Sequence, residues 1–69
     1  MEIFCERLRS LRLEKDLNQA DVAKVMNVVL GTISNWERGL SSPNIAELKQ
    51  LADYFDVTAD YLLGRSELY

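Results

Sequence analysis

QADVAKVMNVVLGTISNWERG, residues 19–39, contains two short segments in which apolar residues recur at helical spacing. The apolar residues that set this spacing are Val22, Ala23, Met26, Ile33 and Trp36. Asn27 lies between the two segments, and Asn is, after Gly, a common residue in the left-handed conformation that ends a helix. The stretch therefore predicts helices over residues 19–26 and 30–38, joined by a tight turn and stopped at Gly39.

The segment before this stretch is also predicted to be helical. Residues 3–15 repeat apolar side chains at three- and four-residue steps, at Phe4, Leu8 and Leu11. Asp16 follows where that helix would end, and Asp tolerates the left-handed conformation better than most residues. Asn18 is a strong N-cap residue, so its main expected role is to start the next helix.

Two further helices are predicted after a turn at residues 40–43. Asn44, with Glu47 three positions later, has the spacing of a capping box for a helix that runs to about residue 55. Thr58 is expected to cap a last short helix that carries Tyr61, Leu62 and Leu63. Gly64 then ends the chain's helical pattern.

The expected fold class is all-α, with five helices in one domain over residues 1–69. Hydrophobic residues make up 48% and charged residues 28% of the chain, which is ordinary for a globular domain. No segment has the strict alternation of a strand. The predicted core consists of Leu8, Leu11, Leu17, Val22, Ala23, Ile33, Trp36, Leu48, Leu51, Phe55 and Leu62.

Composition and charge exclude several kinds of site. The chain has no His and one Cys, Cys5, which excludes a zinc site and an internal disulfide and fits the cytoplasm. No apolar run reaches the roughly 20 residues of a membrane span. The net charge of −3 is unusual for a nucleic-acid-binding protein, but residues 1–40 carry six charges of each sign and can present cations on one face.

Two longer stretches carry a resemblance to a known family. LRLEKDLNQADVAKVMNV and TISNWERGLSSPNIAELKQLADYFDVTADYLLG resemble the Cro/repressor-type helix-turn-helix proteins of bacteria and phage, also called the xenobiotic-response-element family. The resemblance covers residues 7–64. It implies a lambda-repressor-like five-helix domain whose helix-turn-helix core lies at about 18–39. It also implies a transcriptional regulator, most simply a repressor, that binds palindromic double-stranded DNA as a homodimer through the helix at 30–38.

The resemblance and the chemistry of the side chains together suggest DNA contact at nine residues, which are Asn18, Gln19, Val29, Leu30, Gly31, Thr32, Asn35, Arg38 and Ser41. Gln19 matches a phosphate-binding position at the start of a helix. Asn35 can form two hydrogen bonds with adenine, and Thr32 can meet a phosphate or a thymine methyl. We expect Thr32, Asn35 and Arg38 to share an exposed helix face. Arg12 and Glu37 match a structural ion pair between the first and third helices.

The segment VVLG, residues 28–31, departs from the family pattern, which usually has a Ser or Thr at the position of Val29. Val29 has no oxygen with which to cap a helix, and neither Leu30 nor Gly31 has a side chain that can hydrogen-bond a base. We consider three interpretations. The apolar residues contact thymine methyls while Gly31 lets the backbone approach DNA; or they bind a protein partner or pack inside the domain; or the segment impairs DNA reading. We favour the first.

A second function is a protein-binding module of the same fold, antitoxin-like or antirepressor-like, with weak DNA binding. The acidic C-terminal part and the apolar VVL residues favour it. The sequence contains no set of residues that resembles a catalytic site, so we do not expect an enzyme. No metal, cofactor, small-molecule substrate or membrane is expected as a partner.

Overall fold

The computed structural model describes residues 2–69, with side chains from Ile3 onward, and contains five helices and no strand over that range. The helices are α1 (Glu2–Glu14), α2 (Gln19–Met26), α3 (Leu30–Arg38), α4 (Ile45–Phe55) and α5 (Ala59–Leu62). The all-α prediction is confirmed. The predicted bounds of α2 and α3 are those observed, whereas α1 ends one residue before the predicted Lys15 and Leu63 is the C-cap of α5 rather than part of it.

One hydrophobic core joins all five helices. It consists of Phe4, Leu8, Leu11, Val22, Ala23, Met26, Ile33, Trp36, Leu51, Ala52, Phe55, Val57 and Leu62. Two residues of the predicted core, Leu17 and Leu48, are only half-buried and pack against its edge. Helical spacing identifies the face of a helix that is buried, but it does not give the depth of each residue. Val57, which belongs to no helix, was not predicted to be buried.

Every helix of the described chain ends in the same way. The first or second residue after the helix takes the left-handed conformation, and the N–H of the residue that follows it donates to the carbonyl five residues earlier, as in a Schellman motif. These bonds run from Leu17 to Arg12, Val28 to Ala23, Leu40 to Asn35, Val57 to Ala52 and Arg65 to Asp60, at 2.8–3.1 Å. The predicted stops at Asp16, Asn27, Gly39 and Gly64 are confirmed; Asp56 was not anticipated.

Helix starts differ more than helix ends. Asn18 and Asn44 each form a capping box, in which the side-chain oxygen accepts from the third residue of the helix at 2.7 Å. The Thr58 hydroxyl accepts from the N–H of Tyr61 at 3.0 Å. These three caps confirm the predictions. Val29, at the start of α3, makes no side-chain cap bond.

The segment after α5 folds back onto α1. The Arg7 guanidinium donates to the backbone oxygen of Tyr61, to that of Ser66 at 2.7 Å, and to Glu67 Oε1 at 3.2 Å. The ring of Tyr69 lies 4.6 Å from that of Tyr61, between centroids, and the Thr58 N–H donates to the Tyr69 carbonyl at 3.1 Å. Arg7 thus holds the C-terminal segment against the first helix.

Candidate nucleic-acid interface

The turn between α2 and α3 fixes how these two helices cross. Asn27 has φ 58° and ψ 44°, and the next residue, Val28, donates its N–H to Ala23 at 3.0 Å. Val29 is then extended, with φ −79° and ψ 156°, so the chain turns sharply into α3. Ala23 is buried, and its small side chain suits a close approach of packed helices. This arrangement leaves the start and one face of α3 uncovered by α2.

The start of α3 is apolar and open to solvent. Val29 is 72% exposed and Leu30 is 49% exposed. No atom outside its own helix lies within 4 Å of the position that a Cβ on Gly31 would take. The interpretation that this segment packs inside the domain is therefore wrong for Val29 and Leu30. Only Val28 packs against the core, because it follows the left-handed residue and points inward.

The face predicted for base and phosphate contact is less exposed than expected. Arg38 is exposed, whereas Thr32 and Asn35 are half-buried. The prediction that all three lie on an exposed face is correct only for Arg38. Thr32 and Asn35 are partly buried because α3 lies between α1 and α2, both of which pack against it. Ser41 is exposed in the turn that follows α3.

The two residues at the start of α2 have different roles in the folded chain. The side chain of Asn18 caps the helix, and its backbone N–H donates to the Asp21 carboxylate at 2.8 Å. Gln19 is half-buried, and its Nε2 atom donates to Glu37 Oε1 at 3.3 Å. The start of α2 is thereby tied to the last turn of α3.

Arg12 and Glu37 form a buried ion pair between α1 and α3. Arg12 Nε lies 2.7 Å from Glu37 Oε2, and Nη2 lies 3.0 Å from Oε1. The two side chains are 10% and 4% exposed. Hydrogen bonding to Glu37 raises the pKa of the Arg12 guanidinium, against the opposite effect of burial. A two-pronged pair of this kind fixes the relative placement of the helices that it joins.

Two contacts of this ion pair carried no signal in the sequence. Arg12 Nη1 donates to the carbonyl of Leu17 at 2.9 Å, which links the pair to the turn before α2. The bond from Gln19 to Glu37 joins residues 18 positions apart. Both depend on how three helices meet, and neither follows from helical periodicity or capping patterns.

The described part of the chain contains neither a candidate metal site nor a candidate membrane-spanning helix. Residues 2–69 contain no group of three or more carboxylates and thiols arranged to hold a metal ion. Among the described helices, none combines the length and apolar character needed to cross a bilayer. The features that stand out are the uncovered start of α3, the capped start of α2, and the α1–α3 ion pair to which Gln19 of α2 is hydrogen-bonded.

The chain is similar to DNA-binding regulators over nearly its whole length. A family model described as helix-turn-helix matches residues 8–62. The chain is 42% identical over 65 residues to the HTH-type transcriptional activator BcrR of Enterococcus faecalis, covering 94% of this chain and 32% of BcrR. It is 35% identical to the cryptic phage CTXphi transcriptional repressor RstR of Vibrio cholerae, covering 94% of this chain and 59% of RstR.

A solved structure extends this similarity to the fold. The P22 c2 repressor protein in complex with synthetic operator 9T superposes with a TM-score of 0.86 at 32% identity, covering 96% of this chain and all of the repressor chain. The chain spans only about a third of BcrR and three fifths of RstR. The lambda-repressor-like fold is confirmed, and the protein belongs to the repressor-type (xenobiotic-response-element) helix-turn-helix family of transcriptional regulators.

Proposed function

We propose that the protein is a sequence-specific DNA-binding transcriptional regulator that reads the major groove with α3. The observation that carries this proposal is the superposition on a repressor bound to operator DNA, which extends over 96% of the chain. The major groove is about 12 Å wide and admits one helix. In this fold the start of α3 is left uncovered by its neighbours, and the tight turn at Asn27 joins α3 to α2.

The polar contacts divide into base reading and backbone positioning. Asn35 is the candidate for adenine, because its amide can donate to and accept from the same base edge. Thr32 is the candidate for a phosphate or a thymine methyl. Arg38 and Gln19 are candidates for phosphates, and Ser41 is a further candidate for DNA contact. Asn18 contributes chiefly through its cap, which fixes the start of α2.

Val29 and Leu30 are proposed to contact thymine methyl groups, with Gly31 allowing close approach of the backbone. Their exposure supports this, because Val29 is 72% and Leu30 49% exposed, and a Cβ at Gly31 would meet no atom within 4 Å. Replacing thymine by uracil in the duplex removes the methyl and leaves every hydrogen-bonding edge intact. We expect uracil to weaken binding by the native chain and to have little effect on the Leu30→Ala variant. Equal loss in both proteins would contradict methyl reading.

We further propose a homodimer acting as a repressor on a palindromic operator. The two copies of α3 would lie about 34–36 Å apart, one turn of DNA. Candidates for the dimer contact lie after the helix-turn-helix core, where the chain carries apolar and aromatic residues, at Tyr61, Leu62, Leu63 and the tail to Tyr69. Leu62 is buried and Tyr61 is half-buried, which leaves Leu63 and the exposed end of the tail for such a contact. Sedimentation of the protein with its selected duplex tests the dimer, and a single copy per palindrome would contradict it.

The test of DNA binding is selection from a random duplex library, followed by titration of the enriched duplex and a scrambled duplex of the same composition. Run at about 50 and 200 mM salt, the titrations separate specific binding from the salt-sensitive nonspecific term. We expect an enriched inverted repeat that binds at least a hundredfold more tightly than the scrambled control. No enrichment at either salt concentration would contradict the proposed function.

The alternative function is a protein-binding module of the same fold. The exposed Val29 and Leu30, together with the net charge of −3 in residues 41–69, favour it. This alternative predicts no enriched duplex and loss of partner binding in a Leu30→Ala variant. As a DNA-binding regulator the protein is proposed to have no catalytic activity and to work in the cytoplasm, where bacterial and phage DNA is transcribed.

A further inference from the structure

The carboxylate of Glu37 receives hydrogen bonds from two different helices. Arg12 of α1 reaches both carboxylate oxygens, at 2.7 and 3.0 Å. Gln19 of α2 reaches Oε1 through its Nε2 atom, at 3.3 Å. The Glu37 side chain is almost completely buried, so it has few alternative arrangements. The start of α2 is therefore connected to α3 through one fixed acceptor.

An ionised carboxylate can only accept hydrogen bonds, and this decides which end of the Gln19 amide faces it. Gln19 Nε2 can donate to the Glu37 carboxylate, whereas a flipped amide would place the Gln19 carbonyl oxygen against it, bringing two acceptors together. One Nε2–H is used by Glu37, and the other Nε2–H is left as the remaining donor of the side chain. A DNA phosphate accepts hydrogen bonds, so this donor suits it.

Arg12 allows the Glu37 carboxylate to lie close to Gln19, the residue proposed to bind a phosphate. Alone, the Glu37 charge would repel a phosphate at the start of α2. The bidentate contact with Arg12 neutralises that charge and holds the carboxylate in place. The ion pair thus leaves Glu37 as an acceptor for Gln19 with little net field toward DNA.

We propose that Glu37 is a positioning residue for DNA binding: it orients the carboxamide of Gln19 so that an N–H, and not the carbonyl oxygen, is presented to a DNA phosphate. Glu37 itself does not contact DNA in this arrangement. The inference rests on the proposed DNA-binding function, since it concerns a contact of that same interface. It assigns to the ion pair a role beyond joining α1 to α3.

The first test needs no DNA. Gln19 and Gln50 are the chain's two glutamines, so their side-chain amide signals are readily distinguished by NMR using a Gln50→Ala variant. We expect one Gln19 amide proton to be shifted downfield and to exchange slowly with water in the native chain. Two Gln19 signals at the positions and exchange rates of a solvated glutamine would overturn the proposal, because they would mean that Glu37 does not hold the amide.

The second test measures the coupling between Gln19 and Glu37 in binding to the selected duplex. The background is the double variant Arg12→Met/Glu37→Leu, in which apolar side chains replace the buried pair and the fold is checked by circular dichroism and thermal unfolding. In the native background we expect Gln19→Ala to weaken binding about tenfold, the loss typical of one hydrogen bond to a charged group. In the apolar background we expect less than about a twofold effect.

The control and the adverse outcomes are distinct. Gln50→Ala, which removes the hydrogen bond from Gln50 Nε2 of α4 to the Val25 carbonyl at 3.4 Å, is expected to leave DNA binding unchanged. A tenfold loss on Gln19→Ala in both backgrounds would overturn positioning by Glu37 while leaving the proposed function intact. If Gln19→Ala causes no loss of affinity in either background, Gln19 does not contact DNA, and positioning by Glu37 would again be overturned. Failure of the native chain to enrich any duplex would overturn the proposed function and this inference together.

Discussion

The guanidinium carbon of Arg7 lies 4.1 Å from the ring centroid of Tyr61, so a residue of the first helix covers a residue of the last. The same guanidinium donates to the Tyr61 carbonyl and to the Ser66 carbonyl. Helix α5 spans only Ala59–Leu62, and a helix of that length is not stable by its own hydrogen bonds. Arg7 and the buried Leu62 therefore keep the last helix in place.

Replacing Arg7 with Met should loosen the C-terminal segment. The change removes the donors and keeps much of the apolar stem, so we expect it to lower the free energy of unfolding by about 1.5–3 kcal/mol. Amide hydrogen exchange gives the local readout, since the Thr58 N–H is bonded to the Tyr69 carbonyl. We expect faster exchange at Thr58 in Arg7→Met and partial recovery in Arg7→Lys. Unchanged exchange in Arg7→Met would contradict this role.

Breaking the buried ion pair on one side should cost more than removing both partners. Arg12→Met leaves the Glu37 carboxylate buried without its cation, and we expect a loss of about 3–5 kcal/mol in the free energy of unfolding. The double variant Arg12→Met/Glu37→Leu should be closer in stability to the native chain, because neither charge is left unpaired. Urea unfolding of the native, single and double variants measures the coupling. If the double variant loses as much unfolding free energy as Arg12→Met and Glu37→Leu lose separately, added together, the coupling would be contradicted.

Val29→Ser should supply the cap that α3 lacks. The observed extended backbone at Val29 is the conformation of an N-cap residue, so a Ser hydroxyl can accept from the first turn without rearrangement. We expect the free energy of unfolding to rise by about 0.5–2 kcal/mol. Asn44→Ala, which removes the cap of α4, is the matched control and should lower it by a similar amount. If Val29→Ser raises DNA affinity as well as stability, the result would favour the interpretation that the native VVLG segment impairs DNA reading.

Gly31→Ala should change stability and DNA binding in opposite directions. A Cβ at this helical position meets no neighbouring atom within 4 Å, so alanine should stabilise the domain by about 0.5–1 kcal/mol. DNA affinity should fall if the backbone approaches the duplex at this point. Gly39→Ala is the contrasting control, because its φ of +76° should make alanine destabilising. Unchanged DNA affinity in Gly31→Ala would contradict close approach.

Local features of the sequence predict most of the fold. The caps at Asn18, Asn44 and Thr58 and the stop at Asn27 are short-range preferences, and the structure confirms each of them. The left-handed Asp56 was not anticipated, since Asp is also common at helix starts.

The candidate site is less predictable because its contacts cross the fold. The Arg12–Glu37 pair was expected only through the family resemblance, and the bond from Gln19 to Glu37 has no counterpart in local spacing. The Arg7 contact joins residues 54 positions apart and is likewise set by tertiary packing. The exposure of Thr32 was overestimated, because spacing alone does not indicate which neighbouring helices cover a face.

The most direct test of the proposed DNA reading by α3 is to measure the affinity of the native chain, Asn35→Ala and Arg38→Ala for the selected operator and all its single-base-pair variants. Asn35→Ala should lose discrimination at one A·T pair in each half-site and retain it elsewhere. Arg38→Ala should weaken binding to every duplex alike and reduce the salt slope by about 0.9, as loss of one phosphate contact requires. Uniform weakening by Asn35→Ala, with discrimination intact at every position, would contradict base reading by this helix.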